Sequence, residues 1–313
     1  MESKLPESLL QAVRYFADPD VAHKFVTELR WPNGVACPRM GCGNADVAFM
    51  PKYRSWYCTE CKKKFTAKVG TIFEDSPIGF DKWLPAIWLL TANRNGISSC
   101  ELARGLGVTQ KTAWFILHRV RLAMADGTFE QLSGEVEADE TWIGPKARSV
   151  NRRDPNPSKV GKGRGPGYSK TPVIGIRERG GKVRAFVVKD NRRETLLPKI
   201  FEHVAKGSTV YTDQAHAYHA LKFEEYVHHI INHAERYVDG RVHTNSIENF
   251  WSVLKRTIGG TYICPRPKHL DRYLEEQIFR YNERESTDGP RFMKAVKGAD
   301  GKRLTYKALT GKT

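Results

Sequence analysis

Three acidic residues stand in settings suited to metal-dependent chemistry: Asp139 in GEVEADETWIGP, Asp213 in TVYTDQAHAY and Glu248 in HTNSIENFWSVLK. The first two sit at or near the ends of short β-like runs, and Glu248 lies on an amphipathic helical stretch further along. Carboxylates at strand ends, joined by one from a later helix, can converge on divalent cations. That arrangement suits phosphodiester chemistry, in which two metals roughly 3.5–4 Å apart hold the attacking and leaving oxygens. Around Asp139, Glu135 and Glu137 share its strand face while Glu140 points the other way. Glu137 and Glu140 read as supporting groups or as solvated ones. Carboxylates crowded in this way raise one another's pKa until a cation relieves them.

A second chemistry-bearing set lies upstream. Cys37 and Cys42, then Cys58 and Cys61, form two close pairs separated by 15 residues. Two such knuckles supply four thiolates for a tetrahedral Zn²⁺, and a site filled by protein ligands has no open position for water. One structural zinc is expected. The first pair departs from the commoner two-residue spacing. The lone Cys100 and Cys264 read as small buried hydrophobes.

The elements that must position these groups can be read from periodicity. Two helical patterns, about 6–16 and 20–29, precede the cysteines. After Gly96, Ile97–Val108 reads as the first helix and turn of a helix-turn-helix, and Thr109–Arg121 as its second helix, with Thr109 as N-cap. Gln110, Lys111 and Thr112 then face outward where a recognition helix meets base edges. From Ser133 short β-like runs follow at 135–143, 171–178, 183–189, 208–212 and 226–231, with Gly180-Gly181 turning the second run into the third. Helices are expected at about 194–205 and 243–258. That order, three strands, helix, strand, short helix, strand, helix, is that of an RNase H-like fold.

On the helix that carries Glu248, Ile247, Phe250, Trp251, Leu254 and Ile258 recur as one stripe. Glu248 and Lys255 fall within about 20° of each other on its flank, and Asn245 lies one turn earlier. A carboxylate there could face a metal site while Lys255 reaches a DNA phosphate. Of the histidines 228, 229, 233 and 243, only His243, just before this helix, is read as facing the site.

Composition points the same way. The chain has 313 residues, 51 Lys and Arg against 35 Asp and Glu, and a formal net charge of +16, which calls for a polyanionic partner. Between the first two strands, Lys146–Lys170 holds eight Lys or Arg against one Asp, with three Pro and four Gly. It reads as a basic loop that grips a phosphate backbone through Arg152, Arg153, Lys162 and Arg164. The longest apolar run, Trp83–Ala92, falls far short of the ~20 residues of a membrane span, and the N-terminus lacks the layout of a signal peptide. A cytoplasmic, nucleoid-associated protein without a membrane partner is expected.

Taken together, CPRMGCG…CTEC, ELARGLGVTQKTAW, EVEADETWIGP, TVYTDQAHAYHAL and HTNSIENFWSVLKR resemble bacterial insertion-sequence transposases of the DDE superfamily. The nearest branch carries a zinc ribbon and a helix-turn-helix ahead of an RNase H-like domain. The resemblance implies an α+β multidomain chain: N-terminal helices 1–35, zinc ribbon 36–75, helix-turn-helix 76–130, RNase H-like domain 131–285 with a mixed five-stranded sheet, and basic tail 286–313. It implies Asp139, Asp213 and Glu248 as ligands of two Mg²⁺, with Mn²⁺ able to substitute. Asn245 is the alternative third ligand, and Lys255 the basic residue that follows the Glu. The expected substrates are double-stranded DNA bearing the terminal inverted repeats and a DNA target, handled by a homo-oligomer. Two other readings stay open: a DNA-binding regulatory protein with a catalytically silent scaffold, and a nuclease acting on RNA–DNA hybrids.

Overall fold

The computed structural model describes residues 6–125, 127, 130–144, 170–213, 225–231 and 243–311. The chain divides into two units, Met1–Ala125 with Glu283–Thr313, and Asp126–Asn282.

The first unit opens with α1 (Leu9–Phe16), capped by the Ser8 side chain, and α2 (Pro19–Arg30), capped by Asp18 with Pro19 in its first turn. Three short strands follow, β1 (Val47–Met50), β2 (Ser55–Cys58) and β3 (Lys64–Thr66), paired antiparallel in that order. They are the sheet of the zinc ribbon. Helix α3 (Phe80–Ala92) is apolar almost all round and buries Trp83, Leu84, Ile87 and Trp88. Helix α4 (Ser99–Leu106) starts on a capping box: Ser98 Oγ accepts from the Glu101 N–H, and Glu101 accepts from the Ser98 N–H. It ends at left-handed Gly107, and Thr109 caps α5 (Gln110–Met124) by accepting from the Thr112 N–H.

The second unit is built on a five-stranded sheet: β4 (Glu135–Ile143), β5 (Thr171–Glu178), β6 (Val183–Val187), β7 (Thr209–Asp213) and β8 (Val227–Ile231). The order is β6-β5-β4-β7-β8, antiparallel from β4 to β6 and parallel from β4 to β8. This mixed order, with α6 (Arg193–His203) between the third and fourth strands, is RNase H-like. Helices α7 (Asn245–Thr257) and α8 (Leu270–Asn282) complete the unit. One side of the sheet buries Val136, Ala138, Ile174, Ile176 and Val210 with Leu196 and Ile200 of α6. The other buries Val173, Val183 and Ala185 with the α7 stripe and with Leu270, Leu274 and Ile278 of α8. Period-two alternation thus sends Val136 and Ala138 toward α6, and Glu137 and Asp139 toward α7.

The chain then returns to the first unit. The segment that composition marks as a basic tail carries α9 (Asp288–Lys297) and α10 (Tyr306–Thr310). Its Phe292 is fully buried against the rings of Phe16, Phe25 and Trp88. Lys294 and Lys297 of α9 are exposed, while Phe292, Ala295 and Val296 are buried on its inner side.

Candidate functional site

Asp139 lies in the middle of β4, but just past the point where the parallel pairing with β7 stops at Glu137↔Tyr211. Asp213 is the last residue of β7. The neighbouring strands therefore bring two carboxylates to one end of their shared edge. A carboxylate oxygen from each of Asp139, Glu140 and Asp213 lies within 4.8 Å of the others. Glu140 was expected to point away. It belongs to the opposite strand face, yet the residue pairs of β4 with β7 end at Glu137↔Tyr211, and the longer Glu side chain turns round that edge.

Asp139 is largely buried, and burial pushes its pKa up to about 6 from an ordinary value of 3.8. The nearby negative charges of Asp213 and Glu248 push the same way, against the Glu140 backbone N–H and the Trp251 indole N–H that bond the carboxylate. Trp251 Nε1 donates to Asp139 Oδ2 at 2.9 Å. The indole can lie there because Asp139 stands opposite Gly175 in the β4–β5 register. A Cβ added at Gly175 would come within 2.5 Å of the Trp251 ring. Trp251 and Gly175 thus form the floor under Asp139. Reading Trp251 as a member of the apolar stripe gave its packing but not its bond to the acid, and Gly175 carries no mark in the sequence beyond a glycine inside a strand.

Glu137 is a brace, and it is not solvated. Its side chain is 0% exposed; Oε2 accepts from the Ile247 backbone N–H at 2.9 Å and Oε1 from Arg179 Nε at 2.9 Å. Ile247 is in the first turn of α7, where backbone N–H groups have no partner within the helix. His243 Nδ1 lies 3.5 Å from Glu137 Oε1, and Arg179 Nη2 donates to the His243 carbonyl at 2.7 Å. His243 therefore meets the brace. The Arg179 guanidinium lies 4.0 Å from the centre of the Tyr211 ring, whose hydroxyl donates to Glu135 at 2.8 Å. This network ties the start of α7 to β4 and β7 and so fixes where Glu248 stands. Glu248 is exposed in the first turn of α7, with Oε1 accepting from Thr244 Oγ1 at 3.3 Å. Asn245 is the first residue of the helix and also exposed. Lys255, in the last turn, is exposed as well.

In the ribbon the four cysteines meet. Sγ of Cys37 lies 3.8 Å from that of Cys61, and Sγ of Cys42 lies 3.6 Å from that of Cys58. The long first knuckle closes through Gly41 and Gly43 at φ 81° and 63°, a region costly for other residues. The Cys58 thiol is held down at about 6, first by the Cys61 backbone N–H and also by that of Glu60. Although the Asn44 N–H pulls the other way, burial and the neighbouring thiols push Cys42 up to about 12. Such crowded thiols favour a shared cation. Cys100 and Cys264, expected to be buried, are exposed. The first lies in the opening turn of α4, and the second in a loop.

At the start of α5, Gln110 Nε2 donates to Ser99 Oγ at 2.7 Å, Lys111 Nζ lies 4.8 Å from the Tyr306 ring centre, and Thr112 Oγ1 is 2.9 Å from Thr109 Oγ1. Gln110 and Lys111 are exposed and Thr112 half-buried. Arg152, Arg153, Lys162, Arg164 and His233 lie outside the described residues, as does the short helix expected before the fifth strand. Among the described residues no helix is long and apolar enough to cross a membrane.

Comparison with known proteins adds to this geometry. Residues 131–282 match the ISXO2-like transposase domain, and residues 18–64 the transposase zinc-ribbon domain. A protein of the transposable element ISH50 from Halobacterium salinarum is 28% identical over 256 residues, 79% of this chain and 85% of its own. A transposase-like protein of Haemophilus influenzae is 36% identical over 104 residues, 33% of this chain and 84% of its own. Among solved structures, a simian T-cell lymphotropic virus intasome in complex with PP2A regulatory subunit B56 gamma matches at 14% identity and a TM-score of 0.29. That match covers 56% of this chain and 63% of the other, and the fold rests on the strand order instead. The chain belongs to the ISXO2-like family of DDE transposases that carry an N-terminal zinc ribbon.

Proposed function

We propose that the second unit cleaves DNA strands at the terminal inverted repeats of its element and joins the freed ends to target DNA. The observation that carries this reading is the meeting of the Asp139 and Asp213 carboxylates within 4.8 Å, with the charge of Glu248 acting on Asp139. The residues fit divalent cations: like charges crowd round a carboxyl whose pKa is already raised, a penalty that bound Mg²⁺ or Mn²⁺ removes. When bound, a pair of such ions supplies a polarised phosphate and an activated attacking oxygen, first from water and then from the freed 3′ end. Asp139, Asp213 and Glu248 are the ligands in this reading. The third ligand is Glu248, whose charge acts on Asp139, and Asn245, the first residue of α7, is the alternative.

The chain's other residues prepare the site. Trp251 holds one Asp139 oxygen and fixes its rotamer, and Glu137 fixes the height of α7 against the sheet. Lys255 holds a DNA phosphate beside the acids. In the first unit, the sulfur spacings of 3.6 and 3.8 Å match the ~3.8 Å edge of a tetrahedron with Zn–S bonds of ~2.3 Å. One structural zinc therefore fits Cys37, Cys42, Cys58 and Cys61. The ribbon and the α4–α5 pair bind the repeat, with Gln110, Lys111 and Thr112 at the DNA, and the basic loop with Arg152, Arg153, Lys162 and Arg164 grips backbone. Two copies act on paired ends.

The test is Mg²⁺-dependent nicking of a labelled duplex that carries the inverted repeat. Asp139→Asn and Asp213→Asn are expected to abolish nicking and keep binding near the wild-type level. Glu248→Ala is expected to do the same, with Asn245→Ala still active. Full cleavage by purified Asp213→Asn would falsify the assignment. Binding by the wild type without cleavage under any divalent metal would instead favour the silent DNA-binding scaffold.

A further inference from the structure

Helix α7 does not stop cleanly. It widens into a π-turn, Ile258–Tyr262, and then reaches Ile263 at φ 65° and ψ −66°. Three features mark this stretch. Gly259 and Gly260 are exposed, neither has a positive φ, and among the described residues a Cβ added at either would meet nothing within 4 Å. Neither backbone conformation nor packing requires glycine there, and glycine destabilises a helical turn relative to alanine. What remains is close approach from outside: bare backbone that a ligand can touch. Second, Ile263 is 69% exposed at the centre of a three-residue turn closed by the Cys264 N–H on the Tyr262 carbonyl at 2.8 Å, a positive-φ conformation that β-branched residues avoid. Third, the chain from Asn249 to Leu270 contains no Asp or Glu but has Lys255, Arg256, Arg266 and Lys268, all exposed.

We propose that the π-turn and the loop after it, Ile258–Lys268, are a seat for the sugar–phosphate backbone of duplex DNA. Gly259 and Gly260 admit the backbone to contact distance, the four cations flank it, and Ile263 meets its apolar sugar edge. The seat shares α7 with Glu248. Eleven residues along a helix put Gly259 about 16 Å from Glu248, a span of a few phosphates along one strand. The seat therefore grips the strand a few nucleotides from the point of cleavage and sets its register over the acids. The turn is anchored from beneath: the Tyr262 hydroxyl donates to Glu276 at 2.5 Å, and Glu276 is itself fully buried with Arg280. This inference rests on the DNA-cleaving reading above.

The test uses the full-length chain carrying Asp139→Asn, so that bound DNA is not consumed, and a fluorescein-labelled duplex followed by anisotropy across a salt series. Gly259→Ala with Gly260→Ala is expected to leave Tm unchanged or raise it, as alanine favours helical turns, yet to weaken binding by about tenfold. Arg266→Ala with Lys268→Ala is expected to lower the slope of log Kd against log salt by about two. Ile263→Gly, which relieves the backbone, is expected to weaken binding without lowering Tm. A glycine-to-alanine variant that binds within about twofold of its parent overturns the seat. Loss of all duplex binding by the parent protein overturns the DNA reading beneath it, and the two failures are distinct.

Discussion

Asp139 is the residue on which the site turns, because it combines burial, a neighbouring acid and an indole bond. Its raised pKa has a thermodynamic sign. Between the ordinary value of 3.8 and about 6 the folded chain keeps a proton that the unfolded chain has lost, so this group's contribution to stability falls as pH rises through that window and is level above it. A divalent cation must displace the same proton. Mg²⁺ is therefore expected to raise Tm clearly at about pH 7.5 and little at about pH 5, with the gain lost in Asp139→Asn. A gain equal at both values would remove Asp139 from the cation site. Gly175 is tested through Trp251. Gly175→Ala forces the indole off the sheet and is expected to cost about 1–3 kcal/mol in denaturant unfolding. Trp251→Phe keeps the apolar body and removes the N–H, so it should lower Mg²⁺-dependent nicking more than it lowers Tm.

At the level of elements, two features are made locally and one is made by contact. The ribbon is local: each knuckle is made by residues close in sequence, and the two meet through sulfur pairs 3.6 and 3.8 Å apart, 16 and 24 residues distant in the chain. Stripping zinc with a chelator is expected to expose Trp56, now 5% exposed and stacked on His23 and Phe65, and to shift its fluorescence to the red. Metal analysis finding clearly less than one zinc per chain would count against the four-cysteine site. Helix α4 is also local, set by its capping box, and Ser98→Ala is expected to cost about 1 kcal/mol in thermal unfolding. Helix α7 is different. Its start depends on Glu137 from β4, 110 residues earlier, and its buried face on β5 and β6.

Across the whole molecule, the first unit is discontinuous in sequence. Its core needs Phe292 among Phe16, Phe25 and Trp88, and Arg119 Nε donates to the Leu304 carbonyl at 3.1 Å. Ending the chain after residue 285 is therefore expected to lower the stability of the first unit by about 3–5 kcal/mol, the cost of removing a buried Phe, and to weaken end binding with it. Stable, unaltered unfolding of the truncated chain would show that α9 and α10 are dispensable.

Much of this protein was determined by sequence alone, wherever the signal is local or periodic. The Cys pairs, the capped α4 and α5, the five strand runs and the α7 stripe each follow from residues within one turn or one strand of each other, and their order along the chain names the RNase H-like layout. Tertiary structure decided the rest. Glu137 and Asp139 have the same strand face and the same charge in sequence, yet one is a fully buried brace and the other a carboxyl facing Asp213. Glu140 joins them from beyond the last β4–β7 residue pair, and Gly175 is required only because Trp251 descends from another element. The segment 286–313 reads as a basic tail because its charges are many, but its apolar residues have partners some 200 residues away, as Phe292 on the Trp88 ring illustrates. Charge and burial at such positions depend on which distant backbone or ring arrives, and that information lies in the packing of the chain rather than in any window of it.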